Sequence, residues 1–450
     1  MNTTEKIANF LCTTRFEDLP DSVIKKAKMH FLDFVGVSLD GFRKEIYKLA
    51  IDLSSNPAEE SSVIGYRRKK SCLDASFLNS IMTGSSNFED GHRFASGHPA
   101  AVVTPAALAV AELQGSSGKE FLLAVVLGYE IFCRVARCIN PSHLNRGFHS
   151  TSTVGAFGSA GAAGKLLRLN DDQICRSLDL AAAFSGAGFL DALTSQVRYF
   201  QVARASQAGV MAALLARQNI STSRTILDGH RGFCSAVADK YDLPVLTEGL
   251  GERFEIRTAY LKIHGGCRHI AAPMDAVRRI VVENSLSPDD IEKILIKTYP
   301  VAIDYEIENP TTGTEAEFSI PFGVSVAIFE SFTGPEVFTD MKINDPAIKD
   351  MMKRISVEVD PKLAAAYPNK RGVIAHVHSR AGAYQCELEV AKGDPEFPAS
   401  EEDILNKFRH LTSYCFTKNQ AQRVIDSIMT IENLISLDPV ISELMDIQET

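Results

Sequence analysis

Glycine spacing is the feature that most narrows what this chain can fold into. Gly155, Gly158, Gly161 and Gly164 recur every third residue through Thr151–Leu167, among Ala, Ser, Thr and a few larger apolar residues. Two later segments share the texture: Ser177–Leu190, with Ala181–Ala183, and Ala203–Gln218, with Ala203, Ala205, Ala208 and Gly209. Gly costs about 1 kcal/mol inside a helix relative to Ala, so this density requires a compensating gain. Small residues supply one, because they let helix axes approach closely. The three segments are therefore read as tightly packed central helices.

The rest of the first 265 residues carries ordinary amphipathic periodicity. Ile24, Ala27, Phe31, Phe34 and Val35 share a face just after Pro20 and Asp21, which suit a helix start. Phe121, Val125, Gly128, Tyr129, Phe132 and Val135 form a second stripe on Lys119–Cys138. Beyond this the period changes. Ile294–Thr298, Ile355–Val359, Val373–Val377 and Tyr384–Val390 alternate as strands, the last two joined by a hairpin-like turn at Ser379–Gly382. Ile320–Phe332 and Pro346–Met352 read as helices between them. Ser400 and Asp403 resemble a capping box, after which helical pattern returns through to the C-terminus. At 450 residues the chain calls for roughly two or three domains. The fold class expected is mainly α with an α+β second domain: a large helical domain, residues 1–272 rejoined by helices of 400–450, and a smaller α+β lid domain, 273–399.

Charge and cysteine usage exclude several classes. Forty-seven basic against 56 acidic residues give a net charge of −9, with no basic run to displace phosphate counterions, so nucleic acid is not an expected partner. Phe94–Ala111 and Gly147–Gly164 are uncharged but too weakly hydrophobic to enter lipid, and Glu5, Arg15, Glu17 and Asp18 interrupt any signal-like apolar stretch at the start. A cytoplasmic protein without membrane partners is expected. Nine cysteines without a CxxC pair read as reduced thiols in a reducing compartment.

P-loop, GxSxG, HExxH and strand-following GxGxxG signatures are absent. Chemistry is concentrated in four polar clusters instead. The first, Asn87–Pro99, holds Glu89, Asp90, His92, Arg93 and His98 between glycines, with Pro99 set to open a helix and aim His98 at its positive end. The competing reading is a solvated loop with its acids paired to Arg93. The second is Gly147–Thr151, where His149 precedes the glycine-rich helix; a lone His is also a common structural residue. The third, Arg198–Gln201 with Arg204, offers a planar fork for carboxylates, or an ordinary surface ion pair. The fourth, Lys262–His269, packs Lys262, His264, Cys267, Arg268 and His269 around a Gly-Gly break. It suits an anion better than zinc, since three near-neighbours on so short a segment rarely reach tetrahedral geometry. His376 and His378 lie opposite Val373, Ala375 and Val377 and read as a solvated strand face.

Along these clusters the chain resembles the MmgE/PrpD family. The stretches that carry the resemblance are Phe88–Ala107 (FEDGHRFASGHPAAVVTPAA), Gly147–Leu167, Ala203–Ala216, Lys262–Ala276 (KIHGGCRHIAAPMDA), Ala316–Phe322 and Ala391–Phe408, in family order over almost the whole chain. The resemblance implies a helical domain with an α+β lid, usually a homodimer. It implies carbanion-type chemistry beside a carboxylate of a small polycarboxylic acid. The missing CxxC and HExxH patterns add the expectation that no cofactor or metal takes part. His98, His149 and Lys262 keep family positions and are the expected catalytic set. Asp90, His92, Arg93, Arg198, Cys267, Arg268, His269 and Tyr305 form the expected substrate-binding set. The chain departs from the family where dehydratase and decarboxylase members read DFDDT: it has Asn87-Phe88-Glu89-Asp90-Gly91. It also has Arg198 for a lysine, and Cys267 near a histidine of decarboxylase members. The leading expectation is a hydro-lyase acting on a hydroxylated di- or tricarboxylate. The alternatives are an epimerase or isomerase like iminodisuccinate epimerase, a cis-aconitate-type decarboxylase, and an inactive binding scaffold.

Overall fold

The computed structural model describes residues 1–52, 58–186 and 188–447. It is mainly α-helical with a smaller α+β part, as expected. The chain divides into two compact units, Met1–Ala259 with Glu401–Thr450, and Tyr260–Ser400.

Seven helices frame the first unit: α1 Asp21–Arg43, α2 Cys72–Ser86, α3 Ala100–Gln114, α4 Gly118–Ile139, α5 Ser150–Leu166, α6 Asp171–Phe184 and α7 Val197–Ala216. The glycine-rich α5 packs against α3, α4 and α7. A Cβ on Gly158 would lie 2.8 Å from the Cβ of Phe132 on α4 and 2.9 Å from Val103 on α3. One on Gly209 of α7 would lie 2.4 Å from Ser159 Cβ and 2.6 Å from the Ala156 carbonyl. Glycine is thus what lets three helices meet at α5, and that close packing offsets its helix penalty.

Caps set the helix starts. Ser117 and Glu120 form a capping box before α4, and Asn170 with Gln173 does the same for α6. That cap starts α6 six residues before the expected Ser177, and the helix stops at Phe184 rather than Leu190. Ala187 of that segment, like residues 448–450 of the expected C-terminal run, lies outside the described residues. Helix α7 likewise begins six residues before Ala203, so Arg198, Gln201 and Arg204 ride its first turns.

Buried serines answer a defect in α3. Pro105 lies inside that helix and has no N–H to give the Ala101 carbonyl. Ser80 Oγ of α2 donates to that oxygen at 2.6 Å. Ser159 and Ser206, on α5 and α7, both donate to the neighbouring Val102 carbonyl at 2.9 Å. The uncharged stretches noted in the sequence fall largely in α3 and α5. Among the described residues no helix is long and apolar enough to cross a membrane.

The second unit is built on a four-stranded sheet of β1 Ile291–Thr298, β2 Ile355–Val359, β3 Val373–Ser379 and β4 Gly382–Leu388, in the order β2-β1-β3-β4. β1 runs parallel to β2 (Ile294 opposite Ile355) and antiparallel to β3 (Leu295 opposite His376). Helices α8 Arg268–Glu283 and α9 Ile320–Phe329 pack in this unit. Ile270, Met274, Val277 and Ile280 of α8 share a core with Ile294, Ile296, Val373, Ala375 and Val377. The boundary expected at 272/273 therefore moves to 259/260. Pro273 lies inside α8 without ending it, and the apolar face of that helix belongs to the sheet. The Lys262–His269 cluster consequently lies in the second unit. The helices after Ser400 return to the first, where Glu401–Thr412 packs on α1. On β3, Val373, Ala375 and Val377 are buried and His378 is exposed, as the alternation implied, while His376 is half-buried rather than solvated.

Candidate active site

The Asn87–Pro99 loop is a fixed structure. Asn87 ends α2 in the left-handed region (φ 50°), which Asn tolerates better than most residues. Lys407 then anchors the next residue: its Nζ donates to the Phe88 carbonyl at 2.7 Å, lies 3.7 Å from the Phe88 ring centroid and pairs with Asp33 at 2.6 Å. Burial raises the Asp33 carboxyl to about 6 even with Lys407 beside it.

Asp90 is not a solvated acid paired to Arg93. It is fully buried. Its Oδ2 accepts from His30 Nδ1 and Tyr129 Oη, both at 2.8 Å, and its Oδ1 accepts the Ala100 N–H at 3.0 Å, at the start of α3. Burial pushes the Asp90 carboxyl up, but the bonds from His30, Ala100 and Tyr129 outweigh it and hold the group ionised below the usual range. Burial lowers His30 in turn. Its Nε2 has no hydrogen-bond partner among the described residues, which suits a neutral ring donating through Nδ1.

His92 is also committed to the loop. Its Nδ1 accepts the Ala95 N–H at 3.1 Å, so Nε2 carries the proton and faces Thr258 Oγ1 at 2.8 Å and Glu255 at 3.3 Å. It borders a cavity of about 220 Å³ with Phe94, Arg137, Glu248 and Phe254. The Arg93 guanidinium lies 5.7 Å from the Phe94 ring centroid.

His98 and His149 come together at the head of α5. A Cβ on Gly97 would fall 2.9 Å from the Phe132 ring and 3.3 Å from Thr151 Oγ1, so glycine lets His98 approach α5. The His98 N–H donates to Thr151 Oγ1 at 3.0 Å, and its Nδ1 donates to the Asp90 carbonyl at 2.5 Å. A carbonyl can only accept, so the neutral ring carries its lone pair on Nε2. The His98 side chain is 24% exposed.

His149 has the opposite tautomer. Its Nδ1 lies 2.9 Å from Ser152 Oγ and 3.2 Å from Gln201 Nε2. Gln201 Oε1 accepts the Phe189 N–H at 3.0 Å, which orients the amide and turns its N–H groups toward His149 and the Phe189 carbonyl. The imidazole proton therefore sits on Nε2. Burial, then the charges of His98, Arg198 and His143, lower His149 to about 3. It is neutral at working pH. Arg198 completes this group: it is buried, donates to the Leu193 carbonyl at 3.1 Å and lies 5.0 Å from the Tyr199 ring centroid.

A second constellation forms in the α+β unit around the start of α8. Lys262 is buried there. Cys267 caps the helix, and burial keeps its thiol protonated against the pull of Lys262, Arg371 and Tyr305. His269 Nδ1 is 2.6 Å from Tyr299 Oη, and its ring stacks on Tyr305 at 4.9 Å and 14°. Burial with Arg371 and Arg268 holds His269 well below its ordinary value, hence neutral. Arg268 is tied to the unit itself, through Asp394 at 2.7 Å and the Ala391 and Lys392 carbonyls. His264 turns to Thr333 and Asp275. It and His269 thus engage separate partners and do not converge with Cys267 in the manner of a zinc site.

Sequence reasoning did not single out Gln201, Ser152, His30, Tyr129, Tyr299 or Arg371. Gln201 had a weak signal, its place in the Arg198–Gln201 cluster. The others are generic residues within or beside helical and strand pattern, recognisable only by what they touch.

Comparison with known proteins agrees with this architecture. The MmgE/PrpD N-terminal domain matches residues 5–245 and the MmgE/PrpD C-terminal domain residues 264–433. Cis-aconitate decarboxylase of Mus musculus is 25% identical over 449 residues, covering 96% of this chain and 91% of that protein. The Homo sapiens protein of the same name is 24% identical, covering 96% and 92%. That of Aspergillus terreus (strain NIH 2624 / FGSC A1156) is 23% identical, covering 97% and 95%. With both domains matched in order over most of its length, the chain belongs to the MmgE/PrpD family.

Proposed function

We propose that this protein is a lyase that acts on a small polycarboxylate by moving a proton at a carbon next to a carboxylate. The observation that carries this reading is the tautomer split between His98 and His149. One ring carries its lone pair on Nε2 and the other an Nε2–H, with Arg198 beside them. His98 exchanges the proton with carbon. His149, held neutral, donates a hydrogen bond to the carboxylate oxygen on which negative charge accumulates, and Arg198 grips a carboxylate by its planar fork.

Two reactions use this arrangement. In decarboxylation the electron pair of the breaking C–CO2 bond passes into the carbon framework, CO2 leaves, and carbon takes a proton from protonated His98. The names of the similar proteins favour it. In dehydration neutral His98 removes the proton and hydroxide leaves with a proton from the site. The unprotonated Nε2 of His98 favours that second reading. Both proceed from these side chains without an added cofactor.

Incubating the protein with a panel of di- and tricarboxylates in D2O, followed by NMR and CO2 detection, tests the proposal. Release of CO2 with one deuterium on carbon supports decarboxylation. Loss of water supports dehydration, and exchange without loss of a group supports epimerisation instead. No change in any polycarboxylate would remove the enzyme reading, and activity that disappears on dialysis against a strong chelator would remove cofactor independence.

A further inference from the structure

We propose that Glu89 is the counter-ion that sets the ionisation of His98, and so acts as a positioning residue for proton transfer. This rests on the reading of His98 as the proton-transferring group. Glu89 Oε1 lies 3.6 Å from His98 Nδ1, close enough for strong electrostatic coupling but beyond a hydrogen bond. The residue is 5% exposed, and its Oε2 is buried without a hydrogen-bond partner among the described residues. A buried carboxylate left short of donors is costly unless a charge nearby offsets it.

Other charged groups around this loop face different partners. Burial lowers Lys26 of α1, which is drawn to Asp90 and Asp33. Lys407, on the helix Glu401–Thr412, is paired with Asp33 of α1. His30 of α1 and Tyr129 of α4 bind Asp90. Arg93, in the loop, lies over Phe94. His149, at the head of α5, is neutral and its ring is held by Ser152 and Gln201. The imidazolium form of His98 is therefore the cation that best balances Glu89. The carboxylate makes His98 a better proton acceptor and a more persistent imidazolium, while the Asp90 carbonyl keeps Nδ1 occupied so that the exchangeable proton resides on Nε2.

Glu89→Gln keeps the shape of the side chain and removes the charge. Its effect is read by NMR titration of the His98 ring in histidine-labelled protein, and by the pH profile of kcat/KM. The His98 ionisation is expected to move down by about one pH unit, with kcat reduced about tenfold and KM little changed. Glu89→Asp, which keeps the charge at a greater distance, is expected to fall between the two and covers the case in which Glu89→Gln does not fold. A folded Glu89→Gln protein whose His98 titrates as in the parent overturns the proposal, even if its turnover is lower. His98→Asn separates the two readings: full activity in that variant would sink the proton-transfer role of His98, while the His98 titration in Glu89→Gln still decides whether Glu89 is its counter-ion.

Discussion

Replacing Gln201 by Glu tests the tautomer argument at its most exposed point. The parent amide donates to His149 Nδ1 at 3.2 Å, while its oxygen takes the Phe189 N–H. A carboxylate keeps the second bond but has no N–H for the first. One of its oxygens faces Nδ1 and draws the proton there, leaving Nε2 bare. Hydrogen bonding to a carboxylate also raises the ring from about 3 by roughly one to three units. At neutral pH His149 therefore stays largely neutral but can no longer donate through Nε2. Losing one donor to a developing oxyanion costs about 10²–10³ in kcat, or about 3–4 kcal/mol. His149→Ala, which removes the ring altogether, is expected to cost about 10²–10⁴. Steady-state kinetics give kcat, and the 15N shifts of the labelled imidazole report the tautomer. A flipped tautomer with turnover within about twofold of the parent would refute the reasoning. His149→Ala with unchanged kcat and a lowered thermal midpoint would retire His149 as a catalyst and leave it a structural hydrogen-bonding residue.

Three other perturbations reach different parts of the molecule. Lys262→Ala is expected to act chiefly on KM if this lysine grips a carboxylate in ground and transition states alike, with Lys262→Arg restoring binding in part; a loss confined to kcat would contradict that role. Ser80→Ala leaves the Ala101 carbonyl without its donor and is expected to destabilise by about 1–3 kcal/mol. Pro105→Ala restores a helical N–H to that carbonyl, so the Ser80 effect in that background should shrink; equal losses in both backgrounds by chemical denaturation would refute the account. Asp33 is raised from its ordinary 3.8 to about 6, so the folded chain binds more protons than the unfolded one between these values. Its contribution to stability therefore falls as pH rises through that window, by about 3 kcal/mol. Asp33→Asn should flatten this part of the stability profile, and an unchanged slope would assign it to other groups.

The sequence by itself determined the architecture and the positions of the polar clusters, because both rest on signals local to the chain. Alternation in Val373–Val377 and in Ile294–Thr298 survives as buried faces of β3 and β1. The glycine spacing of α5 reports the closeness of its neighbours, since a Cβ cannot occupy space another helix already fills. The errors are local as well. Helix α6 starts, after its capping box, six residues before the expected Ser177, and α8 passes through Pro273 because its apolar face is held by the sheet core.

Only the tertiary structure decided what each polar residue does. Asp90, His92 and His98 lie within nine residues, so no local pattern separates them. Contacts from distant helices make Asp90 a buried anchor through His30 and Tyr129, tie His92 to Thr258, and leave the His98 ring partly open. The opposite tautomers of His98 and His149 depend in the same way on a carbonyl eight residues away and an amide fifty-two residues away. Where a proton sits on an imidazole is set by the partner of the other nitrogen, and for His149 that partner is chosen by how α5 and α7 pack.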